Sequence, residues 1–189
     1  ALSSRMCIDH SNTDFEDAFS AIWHGHCEND GFNKLVTLAE LSWRQVSVIR
    51  AYGKYLLQIG VPFSQAYMEE TMQRYPALAR LLVGLFDARF HPDLAISNVE
   101  LAPSLVRMGV ESAERYLANF VATTREDQMG AVEKLLNKQL AKVASLDEDR
   151  ILRSFTAVIK ATLRTSYFQS GGSQGMLKDY ISFKFDPSM

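Results

Sequence analysis

His24, His26 and Cys27 place two imidazoles and a thiol close together, a set of side chains suited to zinc. On a helix, residues two apart point roughly 200° away from each other, so His24 and His26 can share an ion only where the helix has unwound. No second ligand cluster accompanies them, and His10 and His91 stand alone. A fraying helix end before a turn is the better reading, and no metal is expected. GGSQG, residues 171–175, could offer backbone N–H groups to a phosphate. A dinucleotide loop, however, follows a strand and opens a helix, whereas here the pattern before the glycines is helical and the pattern after them is strand-like. The Lys-Ser/Thr ending of a P-loop is also missing. The carboxylates Asp147, Glu148 and Asp149 could serve as acid and base, but they sit where helix capping already accounts for them. Arg150, Arg153, Lys160 and Arg164 fall on a spacing that reads as a solvated face or a contact surface for a neighbouring domain. With no nucleophile elbow, HExxH or CxxC pair, no catalytic, cofactor-binding or metal residue is assigned.

The composition narrows the class. The chain has 189 residues with 20 Lys and Arg against 22 Asp and Glu, a formal net charge of −2, too balanced to draw in nucleic acid or an anionic membrane by charge alone. Hydrophobic residues at 47% and aromatics at 11% can build a core, which excludes a disordered tail. Two cysteines, Cys7 and Cys27, are too few for a disulfide frame, so a reducing cytoplasm is the expected compartment. Charged residues interrupt every apolar stretch before it reaches the roughly 20 residues a membrane span needs. No signal-peptide pattern opens the chain, and a soluble protein is expected.

Stepping along the sequence, helical periodicity dominates. Phe15, Phe19, Ile22 and Trp23 form a helical stripe that ends in the turn residues ENDGFN, 28–33. Ser42 with Gln45 has the form of a capping box, and Trp43, Val46, Ile49, Tyr52, Leu56 and Ile59 follow on one helix side, closed by Gly60 and Pro62. Ser64 caps a helix through Tyr75, and Pro76 opens PALARLLVGLFDARF, apolar around its circumference except for Arg80, Asp87 and Arg89, which His91 and Pro92 stop. A long helix is predicted from Ser104 to about Thr123, pairing as a hairpin with a second from Glu126 to Lys142. Ser145 and Glu148 form another capping box, and the following helix runs to about Ser166. Only Tyr180 to Phe185 shows the period of two, a lone strand without a recognised partner. The predicted fold is mainly all-α, a multi-helix bundle of hairpins with one C-terminal β-strand cut from a following domain. Its units are residues 1–92, a connector at 93–103, a second helical unit at 104–170, and a loop and strand at 171–189. Since the chain opens on Ala1 and stops soon after YISFKFD, a piece of something longer is expected.

Four phrases occur in a set order: ENDGFNKLV, then LSWRQVSVIRAYGKYLLQIGVPFSQAYMEETMQRYPALARLLVGLFDARFHP, then SLDEDRILRSFTAVIKATLRTSYFQ, then YISFKFDPS. Together they resemble the large bacterial type of NAD-specific glutamate dehydrogenase. The resemblance covers residues 28–92 and 145–188 and is sparse elsewhere. It implies a parent enzyme that deaminates glutamate oxidatively to 2-oxoglutarate and ammonia with reduction of NAD. It further implies a substrate domain with catalytic lysine and aspartate, then a Rossmann domain. Those motifs follow the segment resembling YISFKFDPS, so no catalytic or NAD-binding residue carries over to this chain. The expected role is a non-catalytic scaffold that docks on the downstream catalytic domain and assists a cytoplasmic homo-oligomer, with no nucleic-acid or membrane partner. The alternative is a regulatory module binding an amino-acid effector in a cleft between the helical units.

Overall fold

The computed structural model describes residues 2–93, 99–117, 124–170, 178 and 180–187, with side chains from residue 13 onward. Helix α1 spans Leu2–Trp23, and a short 3₁₀ turn at Gly31–Lys34 leads into α2, Leu35–Leu38. Helices α3 (Trp43–Gln58), α4 (Gln65–Arg74) and α5 (Pro76–Phe90) follow. After them come α6 (Leu101–Arg107), α7 (Ala113–Leu117), α8 (Arg125–Leu140), α9 (Leu146–Ala161) and two strands, β1 (Thr162–Thr165) and β2 (Phe183–Phe185). The mainly α class is therefore as the periodicity implied.

Side-chain caps explain where several helices begin. Ser42 accepts from the Gln45 amide while the Gln45 side chain accepts from the Ser42 amide, completing the capping box of α3. Ser64 caps α4 and Thr124 caps α8 in the same one-sided manner. Pro76 occupies the first turn of α5, where a missing N–H costs nothing.

Four expectations need correction. Residues 104–123 do not form one helix: α6 begins at Leu101, inside the expected connector, and ends at Arg107. Gly109 takes a left-handed φ of 81°, and α7 starts afresh at Ala113. Residues 118–123 and GGSQG lie outside the described residues. Helix α9 stops at Ala161 rather than near Ser166, because Thr162 turns extended and its hydroxyl donates to the Val158 carbonyl at 2.8 Å. The strand at the C-terminus is not alone. It pairs antiparallel with β1, Thr162 opposite Phe185 and Thr165 opposite Phe183, with an irregularity between Thr162 and Arg164. Ser145 and Glu148 make only half a capping box: Ser145 accepts from the Glu148 amide, but the Glu148 carboxylate turns away to Arg74 and to the Tyr75 hydroxyl, 2.8 Å away.

Among the described residues a single buried apolar cluster runs from Ala18 in α1 to Tyr167 after β1. Helix α5 is its axis, with Leu81, Leu82, Val83, Leu85 and Phe86 fully buried, and it packs against α8, α9, α3 and α4. Helix α1 meets this core through small residues, Ala18 and Ala21, and leaves Phe15, Phe19 and Trp23 exposed.

Candidate functional site

The densest long-range polar and aromatic contacts lie where α3 and α5 receive the two strands. Tyr52 on α3 stacks its ring on Phe183 of β2 at 4.5 Å, and its buried hydroxyl lies 2.9 Å from Oγ1 of Thr162 in β1. One helical turn on, Tyr55 stacks on Phe185 at 4.1 Å. From α5, Phe86 meets Phe183 and Tyr167 edge-on, and Arg89, one turn later, donates from Nη2 to the carbonyls of Lys160 and Thr162, each at 3.0 Å. Arg44 donates from Nη2 to the Tyr167 carbonyl at 3.0 Å and from Nη1 to the Lys178 carbonyl at 3.2 Å, with its guanidinium over the Tyr167 ring. The strand pair is thus held by side chains from two helices, α3 and α5, that lie far from it in sequence.

Burial sets the charge states at the seam. Burial pushes the Tyr52 and Tyr167 phenols well above their ordinary range, so both stay neutral hydroxyls. Desolvation lowers Arg89, opposed by the nearby Tyr52 and Glu133. Beside the seam Asp87, buried on α5, is pushed up to about 7 by desolvation; Arg80 opposes this, and so does a 3.4 Å hydrogen bond from Gln45. Arginine forks on backbone carbonyls fix the course of a chain; they are not proton donors of tunable strength.

The candidates singled out by residue type are dispersed. His24 lies just past the end of α1 with Nδ1 2.9 Å from the Ser20 carbonyl, its ring stacked near that of His26, while His26 and Cys27 line a surface cleft beside α3. Burial raises the Cys27 thiol, and Arg50 opposes that shift. Among the described residues no group of three or more His, Cys, Asp or Glu is placed to hold a metal. His91 packs edge-on against Phe168. Asp147 pairs with Arg150 and Asp149 with Arg153 on the surface, and Lys160 reaches Glu133 at 3.0 Å, so much of the basic face of α9 finds its counter-charges within the chain. Glu148 alone of the three acids is buried. The seam residues Arg44, Tyr52, Arg89 and Tyr167 carry no motif. For Arg44, Tyr52 and Arg89 the one signal is a cation or hydroxyl within a helix that carries an apolar stripe, as Arg89 does on α5; Tyr167 lies in the turn after β1 and has none.

No described helix is long and apolar enough to cross a membrane.

Comparison with known families divides the chain along this seam. Residues 27–92 match the glutamate dehydrogenase family described as helical motif 3, and residues 135–189 match the catalytic domain of bacterial NAD-glutamate dehydrogenase. Curated NAD-specific glutamate dehydrogenases align over nearly the whole chain. That of Halomonas elongata is 37% identical over 98% of this chain and 10% of its own length. The Mycobacterium tuberculosis protein is 37% identical over 93% of this chain and 9% of its own. The Pseudomonas aeruginosa protein is 38% identical over 95% and 10%. No solved structure is significantly similar. This chain belongs to the bacterial NAD-specific glutamate dehydrogenase family and spans about one tenth of the length of the relatives it matches.

Proposed function

We propose that this region is a non-catalytic brace within an enzyme that oxidises L-glutamate to 2-oxoglutarate and ammonia and reduces NAD. NAD and the reacting side chains belong to the downstream part of the parent chain, in a cytoplasmic homo-oligomer, and this region alone is inactive. The observation that carries the reading is the double grip on the strand pair. Side chains of the segment matching the helical motif (Arg44, Tyr52, Tyr55, Phe86 and Arg89) bind backbone and rings of the segment matching the catalytic domain. A sheet of two short strands is marginal alone and needs a packed face. Residues 43–90 supply that face, so the region presents the first strands of the catalytic domain in a fixed orientation.

Replacing Arg89 by Met in the full-length enzyme keeps apolar bulk and removes both carbonyl contacts. The expected result is faster amide exchange at residues 162–165 and 183–185 with α3 and α5 still protected, and a lower kcat. Unchanged exchange and unchanged kcat would refute the brace.

A further inference from the structure

A cleft of about 340 Å³ opens beside this seam, between the turn at residues 25–28, one face of α3, and Ile181 just before β2. Arg44, Arg50 and Lys54 all line that cleft, Arg50 and Lys54 one helical turn apart, and like charges gathered there repel unless neutralised. Two are. Asp30 takes Nε and Nη2 of Arg50 at 2.5 and 2.9 Å, and Glu28 pairs with Lys54. Arg44 is held by two backbone carbonyls and an aromatic face, and no carboxylate among the described residues pairs with it. Three cations against two carboxylates leave the cleft one positive charge in excess.

Those cations are also pre-positioned. The Arg50 side chain is only 5% exposed, fixed further by Asn33 Oδ1 at 2.6 Å, and its Nη1 makes only a long 3.4 Å contact to Ser47. Lys54 has three N–H donors, of which Glu28 takes one. Trp43 and Ile181 supply apolar wall beside them. Ordered donors with spare capacity, a net positive charge and an apolar flank in a cleft of ligand size match a small carboxylic acid better than a bare inorganic ion, which would leave the flank uncovered.

We propose that this cleft binds a small carboxylate, its anionic end among Arg44, Arg50 and Lys54 and its carbon skeleton against Trp43 and Ile181. Arg44 also carries the Tyr167 and Lys178 carbonyls, so an occupant tightens the same strand pair that the brace holds, and the coupling is reciprocal. The site does not depend on the bracing role. The brace is read by amide exchange in the Arg89 variant, the cleft by a local fluorophore.

The chain has two tryptophans, and Trp23 is 78% exposed, so Trp23→Phe leaves Trp43 as the sole reporter in the cleft. In that background the 189-residue chain is titrated with succinate, with inorganic phosphate, and with sodium chloride at equal ionic strength. The expected result is a saturable change in Trp43 emission with succinate, weaker with phosphate and absent with chloride. Lys54→Ala, a substitution at an exposed position, should weaken the apparent affinity at least about fivefold, the scale of one charge-assisted contact, and Lys54→Arg should restore it. No saturable change, a change reproduced by chloride, or an affinity indifferent to Lys54→Ala overturns the proposal; phosphate binding tighter than succinate overturns the carboxylate assignment.

Discussion

Glu148 and Asp147 are neighbours of the same type at the start of α9, and their surroundings give them different weights. Glu148 is 2% exposed and accepts from Arg74 and Tyr75, whereas Asp147 makes a 3.6 Å surface pair with Arg150. Glu148→Gln removes the charge from a buried network and should lower the unfolding free energy by about 1–3 kcal/mol. Asp147→Asn should stay within about 0.5 kcal/mol in the same denaturant titration. Asp87 shows how burial sets a pH dependence. Its folded-state value is pushed up from 3.8 to about 7, so between those limits the folded chain keeps a proton that the unfolded chain has released. Stability from this group is therefore greatest below pH 4 and is lost as pH rises towards 7. Relative to Asp87→Asn, the wild type should lose stability between pH 4 and 8 in chemical denaturation; a parallel pair of curves would show that Asp87 keeps its ordinary value. The sequence marks Asp87 as an exception in an apolar helix and Glu148 as a capping residue. It cannot say which is sealed from water, because burial depends on what a distant segment places over them.

Helices were legible where one period and one cap agreed. The capping box at Ser42, the Pro76 start and the all-round apolarity of α5 are local signals, and each element formed as they imply. Leu82→Ala or Phe86→Ala in that helix should cost roughly 2–5 kcal/mol, since both are fully buried on the axis of the core. A loss below about 0.5 kcal/mol would place α5 at the periphery. Two glycines test the break after α6 against the continuity of α8. At both, an added Cβ meets nothing within 4 Å, so space does not decide the outcome. Gly109 has φ +81°, and Gly109→Ala should destabilise by roughly 1–2 kcal/mol from the left-handed backbone alone. Gly130 lies inside α8, and Gly130→Ala should stabilise by up to about 1 kcal/mol through helix propensity. Equal effects from both in thermal unfolding would contradict the broken helix. The break was concealed because Leu105 before the turn and Leu117 after it are buried in the same core, so the apolar period runs on nearly unchanged.

At the scale of the whole molecule, the strand pair is the feature that local patterns left half visible. Tyr180 to Phe185 read as a strand because its alternation is local. Thr162 to Thr165 read as the end of a helix because Leu163 continues the stripe of α9. What turned it extended was tertiary: the Thr162 hydroxyl meets Tyr52, Arg89 takes the Thr162 carbonyl, and Phe183 and Phe185 find the rings of Tyr52 and Tyr55. The shortest of those contacts spans 73 residues, and residue spacing carries no information about pairings that so much intervening chain brings together. The same holds for the stripe of α1. Its period was evident, yet the small residues Ala18 and Ala21 face the core and the aromatics face outward. By itself the sequence determined the helical class, the caps, the most buried helix and, through whole phrases in order, the family, since these rest on neighbours along the chain. Only the tertiary structure decided which side of α1 is covered, which acid is buried, and that α3 and α5 clasp the two strands, because each of those follows from surfaces that meet only after the chain has folded.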